Sequence, residues 1–154
     1  MEDTRAAIGG AALGPNLLWV TDWGRAEQWV MPLRIAVFVV EQGVPAEIER
    51  DAFDPLSLHA VATGTDGQVV GTGRLLPDGH IGRMAVAASQ RGSGLGGRIL
   101  ELLVDEARSR GFPEVVLNAQ VRAEAFYRKH GFEAEGEVFM EAGIEHRTMR
   151  RRLA

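Results

Sequence analysis

Gln90–Gly97 reads Gln-Arg-Gly-Ser-Gly-Leu-Gly-Gly and is the stretch of this chain best suited to chemistry. Its four glycines let the backbone approach a ligand with no Cβ atoms between them. An apolar run, Ile81–Ala87, leads into the loop, and a helical pattern, Leu95–Arg110, leads out. A loop at such a junction offers unpaired N–H groups and the positive end of a helix dipole, which together seat a phosphate. A plain connecting turn needs one or two glycines and gains nothing from Arg91.

The elements that must position this loop follow from periodicity. Leu17–Val20 reads as a first strand. From Arg25 to Val40 the apolar positions fall at helical spacing, with Pro32 either in an early turn of that helix or splitting it. Glu41–Asp54 reads as an irregular loop carrying five acids against Arg50 alone. His59–Thr63 and Gln68–Leu76 form a hairpin about Gly64–Gly67. After the glycine loop, Leu95, Ile99, Leu102, Leu103 and Ala107 mark the buried face of a helix that Gly111 and Pro113 end. Val115–Leu117 is a strand buried on both faces, parallel to Ile81–Ala87 through a right-handed crossover. A helix over Arg122–His130 and two strands, near Glu133–Phe139 and Glu145–Arg152, close the chain.

The 154 residues suit one domain, with a loose Gly/Ala-rich tail at 1–15 and a single domain over 16–154. No cysteine is present, which excludes disulfides, thiolate metal sites and cysteine nucleophiles and suits a cytoplasmic protein. No segment is long and apolar enough for a membrane span, and Met1–Pro15 lacks the pattern of a signal peptide. Net charge is −4, divided as −6 over residues 1–80 and +2 over 81–154. The acidic total argues against a nucleic-acid partner, and the division places an anionic ligand with the second half.

Three families use glycine-rich strand–helix turns. The P-loop fails, because its lysine is missing and the only lysine is Lys129. The dinucleotide fingerprint is matched by Gly92, Gly94 and Gly97, but the following strand ends at Asn118 where an acid for the ribose belongs. The third pattern, Arg/Gln-x-x-Gly-x-Gly/Ala, is met by Arg91, Gly94 and Gly96. Here the chain resembles the GNAT N-acetyltransferase superfamily. Gly82–Val86 is similar to that family's fourth strand, and Asn118–Gln120 with Ala123–Phe132 to its fifth strand and fourth helix. Arg34-x-x-Val37-Phe38-Val39-x-Glu41-Gln42 and Glu141-Ala142-Gly143-Ile144-x-His146-x-x-Met149 resemble the ElaA/YjcF-type bacterial branch. Two positions depart from the pattern: Gln120 stands where many members have Asn, and Glu145 where Pro is usual.

The resemblance implies an α/β (α+β) single-domain GNAT fold. Its central mixed, mostly antiparallel sheet has six to seven strands, splayed between the fourth and fifth and flanked by about four helices. It also implies acetyl-CoA as cosubstrate and direct transfer to a small-molecule amine, with a homodimer left open and no membrane partner. The residues agree, since neither a cysteine nor a Gly-x-Ser-x-Gly elbow supplies a covalent nucleophile. Cofactor contacts fall to Arg91, Gly92, Ser93, Gly94, Leu95, Gly96 and Gly97 for the pyrophosphate. The strip Met84, Ala85 and Val86, with Asn118 and Tyr127, takes the pantetheine arm and thioester.

Tyr127, the only tyrosine, is the expected acid for the departing thiolate. Glu41 is the leading base for the acceptor, with Asp54, His59 and His146 as alternatives. His59 and His146, taken singly, read first as structural histidines. No histidine pair has metal-ligand spacing, so no metal is expected. The acidic run is read equally as a solvated loop or as a mouth drawing in a cationic amine. A non-catalytic CoA or acyl-CoA module of the same fold, and transfer of a longer acyl group, remain the alternative functions.

Overall fold

The computed structural model describes residues 13–153. In the first half, β1 (Leu18–Asp22), β2 (Leu58–Thr63), β3 (Val69–Leu75) and β4 (Ile81–Val86) form an antiparallel sheet in sequence order. Asp22 caps helix α1 (Trp23–Arg34), its Oδ1 accepting from the Arg25 amide at 3.0 Å. Pro32 lies inside α1 without splitting it. The helix instead widens into a π-helical stretch, Ile35–Glu41, that closes with the Gln42 amide on the Val37 carbonyl five residues back. Ala26, Val30 and Met31 of α1 pack with Trp23, Leu13 and Val61, while Leu33 and Val37 pack on Ala85. A one-turn helix, α2 (Ala46–Glu49), lies within the stretch expected to be irregular.

In the second half, α3 (Leu95–Ser109) is followed by β5 (Glu114–Gln120), α4 (Glu124–Lys129), β6 (Glu133–Glu141) and β7 (Ile144–Arg152). The three strands form a second antiparallel sheet in the order β5-β7-β6. Helix α3 is the common core, burying Ile99, Leu100, Leu103, Val104 and Ala107 completely against residues of both sheets. Glycines in β3 let it lie this close. A Cβ at Gly71 would stand 2.6 Å from Ile99 Cδ1, and one at Gly73 would stand 2.9 Å from Leu103 Cδ1.

The two sheets meet at one parallel bridge, His80 with Val116, where the Val116 amide donates to the Gly79 carbonyl at 3.1 Å. Beyond it no ladder pairs β4 with β5, so the seven strands splay where the family resemblance implied. β4 is also bulged: its register on β3 shifts between Thr72 and Arg74, and Arg83 takes φ +48°. Of the expected tail, residues 1–12 lie outside the described residues. Leu13 is buried, and its amide donates to the Gly67 carbonyl at 2.9 Å, so the packed chain reaches at least to this residue.

Candidate active site

The glycine loop sits where the sequence puts it, between the end of β4 and the start of α3. Gly94 is the N-cap of α3 with φ +89°, and no side chain caps the helix. A Cβ built on Gly92 or Gly94 would meet nothing within 4 Å, so the space over both is open. Ser93, exposed in the loop, donates its Oγ hydrogen to the Gln90 carbonyl at 2.6 Å. A cavity of about 690 Å³ lies over the loop, lined by Val86, Arg91, Gly92, Gly94–Arg98 and Lys129 among others. Open backbone donors flanked by Arg91, Arg98 and Lys129 fit a pyrophosphate.

A second cavity, of about 650 Å³, opens where β4 and β5 diverge. Met84 and Arg83 line it from β4, Asn118 and Gln120 from β5, Tyr127 from α4, and His146 from β7. Phe38 and Phe53 contribute apolar surface. Gln120 Nε2 donates to Gln42 Oε1 at 2.9 Å, tying the end of the π-helical stretch to β5. Tyr127 packs edge-on to Phe126 and Phe132. Burial pushes its phenol up to about 12, so it holds its proton throughout the neutral range. Met84 thus reaches the second cavity and Val86 the first, with Ala85 between them buried in the core.

Within the acidic run, Glu49, Asp51 and Asp54 are answered by arginines. Arg34, 1% exposed, donates Nε to Glu49 at 2.8 Å and Nη1 to Asp54 at 2.9 Å. Arg74 bridges Asp54 at 2.8 Å and Asp51 at 2.7 Å, and Arg83 reaches Asp51 at 3.1 Å. Burial alone would raise the Asp54 carboxyl, but the hydrogen bond and charge of Arg34, with help from the Asp51 amide and Arg74, bring it down to about 2. His59 places Nε2 on the Asp54 carbonyl at 3.0 Å and its ring against Trp23, and burial pushes its pKa down. It is a structural histidine.

Glu41 is not brought to the acceptor cavity. It is absent from the lining, and its carboxylate accepts from Arg91 Nη2 at 2.7 Å, beside the cofactor loop. The structure therefore groups Met84, Asn118 and Tyr127 in one cavity and the glycine loop with Val86 in another, with Glu41 on the loop side. The inner ring of Glu49, Asp51, Arg74 and Arg83 was not singled out from sequence. Its one signal there was charge: acids crowd Glu47–Asp54, and the arginines that match them, Arg34, Arg74 and Arg83, are far away along the chain. Among the described residues no cluster of His, Asp and Glu could hold a metal ion, and no helix is long and apolar enough to cross a membrane.

A family model described as an acetyltransferase (GNAT) domain matches residues 26–153. The uncharacterised N-acetyltransferase YjcF of Bacillus subtilis is 42% identical over 122 residues, which cover 76% of this chain and 86% of that protein. Among solved structures, an acyl-CoA N-acyltransferase of Pseudomonas aeruginosa superposes with a TM-score of 0.78 at 32% identity, covering 88% of this chain and 99% of its own. Escherichia coli ElaA superposes with a TM-score of 0.79 at 27% identity, over 88% of this chain and 99% of its own.

Proposed function

This chain belongs to the GNAT acetyltransferase family, and on that premise we propose that it moves the acetyl group of acetyl-CoA directly onto a primary amine of a small molecule. The observation that carries the reading is the pair of cavities on either side of the β4 strip, one reached by Val86 and the other by Met84. A donor seated by its pyrophosphate at Arg91–Gly97 can run its pantetheine arm along Met84–Val86 and pair with the strand backbone there. Its thioester then lies at the edge of the second cavity, where the acceptor enters.

The amine nitrogen attacks the thioester carbonyl and forms the C–N bond. Negative charge gathers on the carbonyl oxygen, which a backbone N–H of the bulged Arg83–Met84 segment is suited to hold. The C–S bond breaks with its electron pair on sulfur, and Tyr127 Oη gives that sulfur a proton. Asn118, in the cavity wall, is placed to contact the same end of the arm.

The test is a panel of alkylamines, amino sugars, polyamines and arylamines with acetyl-CoA, scored by release of free thiol. Tyr127→Phe should lower turnover roughly 10²–10⁴-fold while leaving acetyl-CoA affinity nearly unchanged. CoA binding without transfer to any acceptor would turn the reading toward a binding module, and thiol release that needs no amine toward hydrolysis of the thioester by water. Faster transfer from propionyl- or longer acyl-CoA would change the donor but not the site.

A further inference from the structure

Both ends of the reaction need proton transfer, and with Glu41 turned to Arg91 the acceptor side is left without its expected base. Glu49 and Asp51 line the cavity but are held in ion pairs, with Arg34 and with Arg74 and Arg83 respectively, and four further titratable groups remain. Asp54 is fully buried between Arg34 and Arg74 and faces no cavity. His59 is sealed at 1% exposure with Nε2 on a backbone carbonyl. His80 lines the cavity, but its ring pairs with Asp78 in a surface turn. His146 differs from all three.

His146 stands on β7, opposite Gln120 of β5 and Phe139 of β6, and its ring stacks on Phe139 with a 25° interplanar angle. Its Nδ1 lies 2.7 Å from the Ile144 carbonyl oxygen. A carbonyl can only accept, so Nδ1 carries the hydrogen, and the neutral ring keeps its lone pair on Nε2. Among the described residues Nε2 has no hydrogen-bond partner, and the residue lines the acceptor cavity. The Glu141 carboxylate lies 3.9 Å away and, being an acceptor, does not compete for the lone pair. The other charged groups that line the cavity are Glu49, Asp51, Arg74, Arg83 and Arg122. Ring orientation and tautomer thus leave the Nε2 lone pair available for the role of a base.

We propose that His146 Nε2 takes the proton from the acceptor amine; the proposal rests on the acetyltransferase reading above. As the C–N bond forms, the surplus proton on nitrogen passes to Nε2. The thiolate receives its proton from Tyr127, and the phenolate recovers one as the imidazolium gives its own back to solvent. One amine proton has then moved, in effect, to the thiol. An acceptor that arrives as an ammonium ion loses its extra proton to Nε2 or water beforehand.

The experiment uses the full chain and the best amine from the panel. His146→Gln should lower kcat roughly 10²–10³-fold with acetyl-CoA affinity unchanged, and added imidazole should restore part of the activity of His146→Ala. The deficit should be smaller for arylamines, which are already neutral at pH 7, than for alkylamines. A wild-type rate in His146→Gln, or an equal loss for both amine classes without imidazole rescue, overturns the proposal. If neither variant folds, the wild-type protein decides. Its ¹⁵N-histidine spectrum should show His146 with hydrogen on Nδ1 and a free Nε2 that shifts when amine and a non-reactive acyl-CoA analogue bind. Hydrogen on Nε2, or no shift, overturns it. Wild-type enzyme that acetylates no amine fails earlier, at the acetyltransferase reading, and takes this proposal with it.

Discussion

The carboxylate cluster around Asp54 and the glycine loop at Arg91 both set arginines beside negative charge, and they differ in what is left over. At Asp54 the carboxylate is fully answered, although Glu49 Oε1 and Arg74 Nε beside it are buried without hydrogen-bond partners among the described residues. Arg34 alone makes four hydrogen bonds, to Glu49, to the Glu49 carbonyl and to both oxygens of Asp54. At the loop the helix start has no capping side chain, the space above Gly92 and Gly94 is open, and Arg91 meets its acid at the surface. Closed networks hold a fold, whereas surplus donors wait for a ligand. The largest expected effect therefore comes from breaking the closed one. Arg34→Met leaves Glu49 and Asp54 buried without their shared cation, which costs about 3–5 kcal/mol. That should lower Tm by roughly 6–20 °C in a domain of this size, read by a thermal melt without ligand. An unchanged Tm would mean the cluster is not what holds this wall.

The opposite dissociation is expected at the loop. Gly94→Asp puts a side chain and a negative charge into the seat at φ +89°. The backbone strain costs about 1 kcal/mol, so the free protein should melt only a few degrees lower. Saturating acetyl-CoA, at 100-fold over its dissociation constant, should add about 2.7 kcal/mol to the wild type and nothing to the variant. A variant that still gains stability from acetyl-CoA would place the seat elsewhere.

Acid should also separate the two regions. The Asp54 carboxyl is brought down to about 2 in the folded protein, against about 3.9 in an unfolded chain. Its contribution, about 2 kcal/mol, is fully present above pH 4 and is lost as pH falls toward 2. Urea midpoints measured between pH 5 and 2 should drop accordingly, and less steeply in Arg34→Met. A parallel fall in both proteins would trace acid sensitivity to other carboxylates.

The loop and the cluster were also unequally legible in the sequence. A glycine loop between an apolar run and an amphipathic helix is local, so spacing alone locates the loop and the helix that follows it. Strand pairing and the splay followed once three motifs fixed the family. The cluster is not local: Arg34, Glu49, Asp54, Arg74 and Arg83 come from α1, α2, the turn after it, β3 and β4, and no periodicity links them. A run of acids in the chain cannot show whether water or arginine faces it. His146 was visible as a candidate, but its value as a base depends on which ring nitrogen the Ile144 carbonyl occupies. Pro32 offered two outcomes, and the structure chose a third, a continuous helix that widens after it.

Glu41 is where the two readings meet, and it carries the smallest expected effect. The sequence makes it the base because it opens the acidic run. The structure gives its carboxylate to Arg91, with both side chains roughly half exposed. An ion pair of that kind contributes about 0–1 kcal/mol, so Glu41→Gln should leave Tm almost unchanged. Its consequence lies in the donor instead. With the carboxylate gone, Arg91 no longer has to exchange one anion for another when the pyrophosphate arrives. The dissociation constant of acetyl-CoA should then fall by up to about fivefold at low salt, the equivalent of 1 kcal/mol, and the gain should fade as salt screens the pair. Turnover at saturating donor and acceptor should stay at the wild-type value, with the same pH profile. Titration calorimetry at two salt concentrations, together with steady-state rates, reads both quantities. A rate that falls at neutral pH and recovers at higher pH, where more amine is already neutral, would return Glu41 to the role of base and draw the loop into the chemistry of the acceptor side.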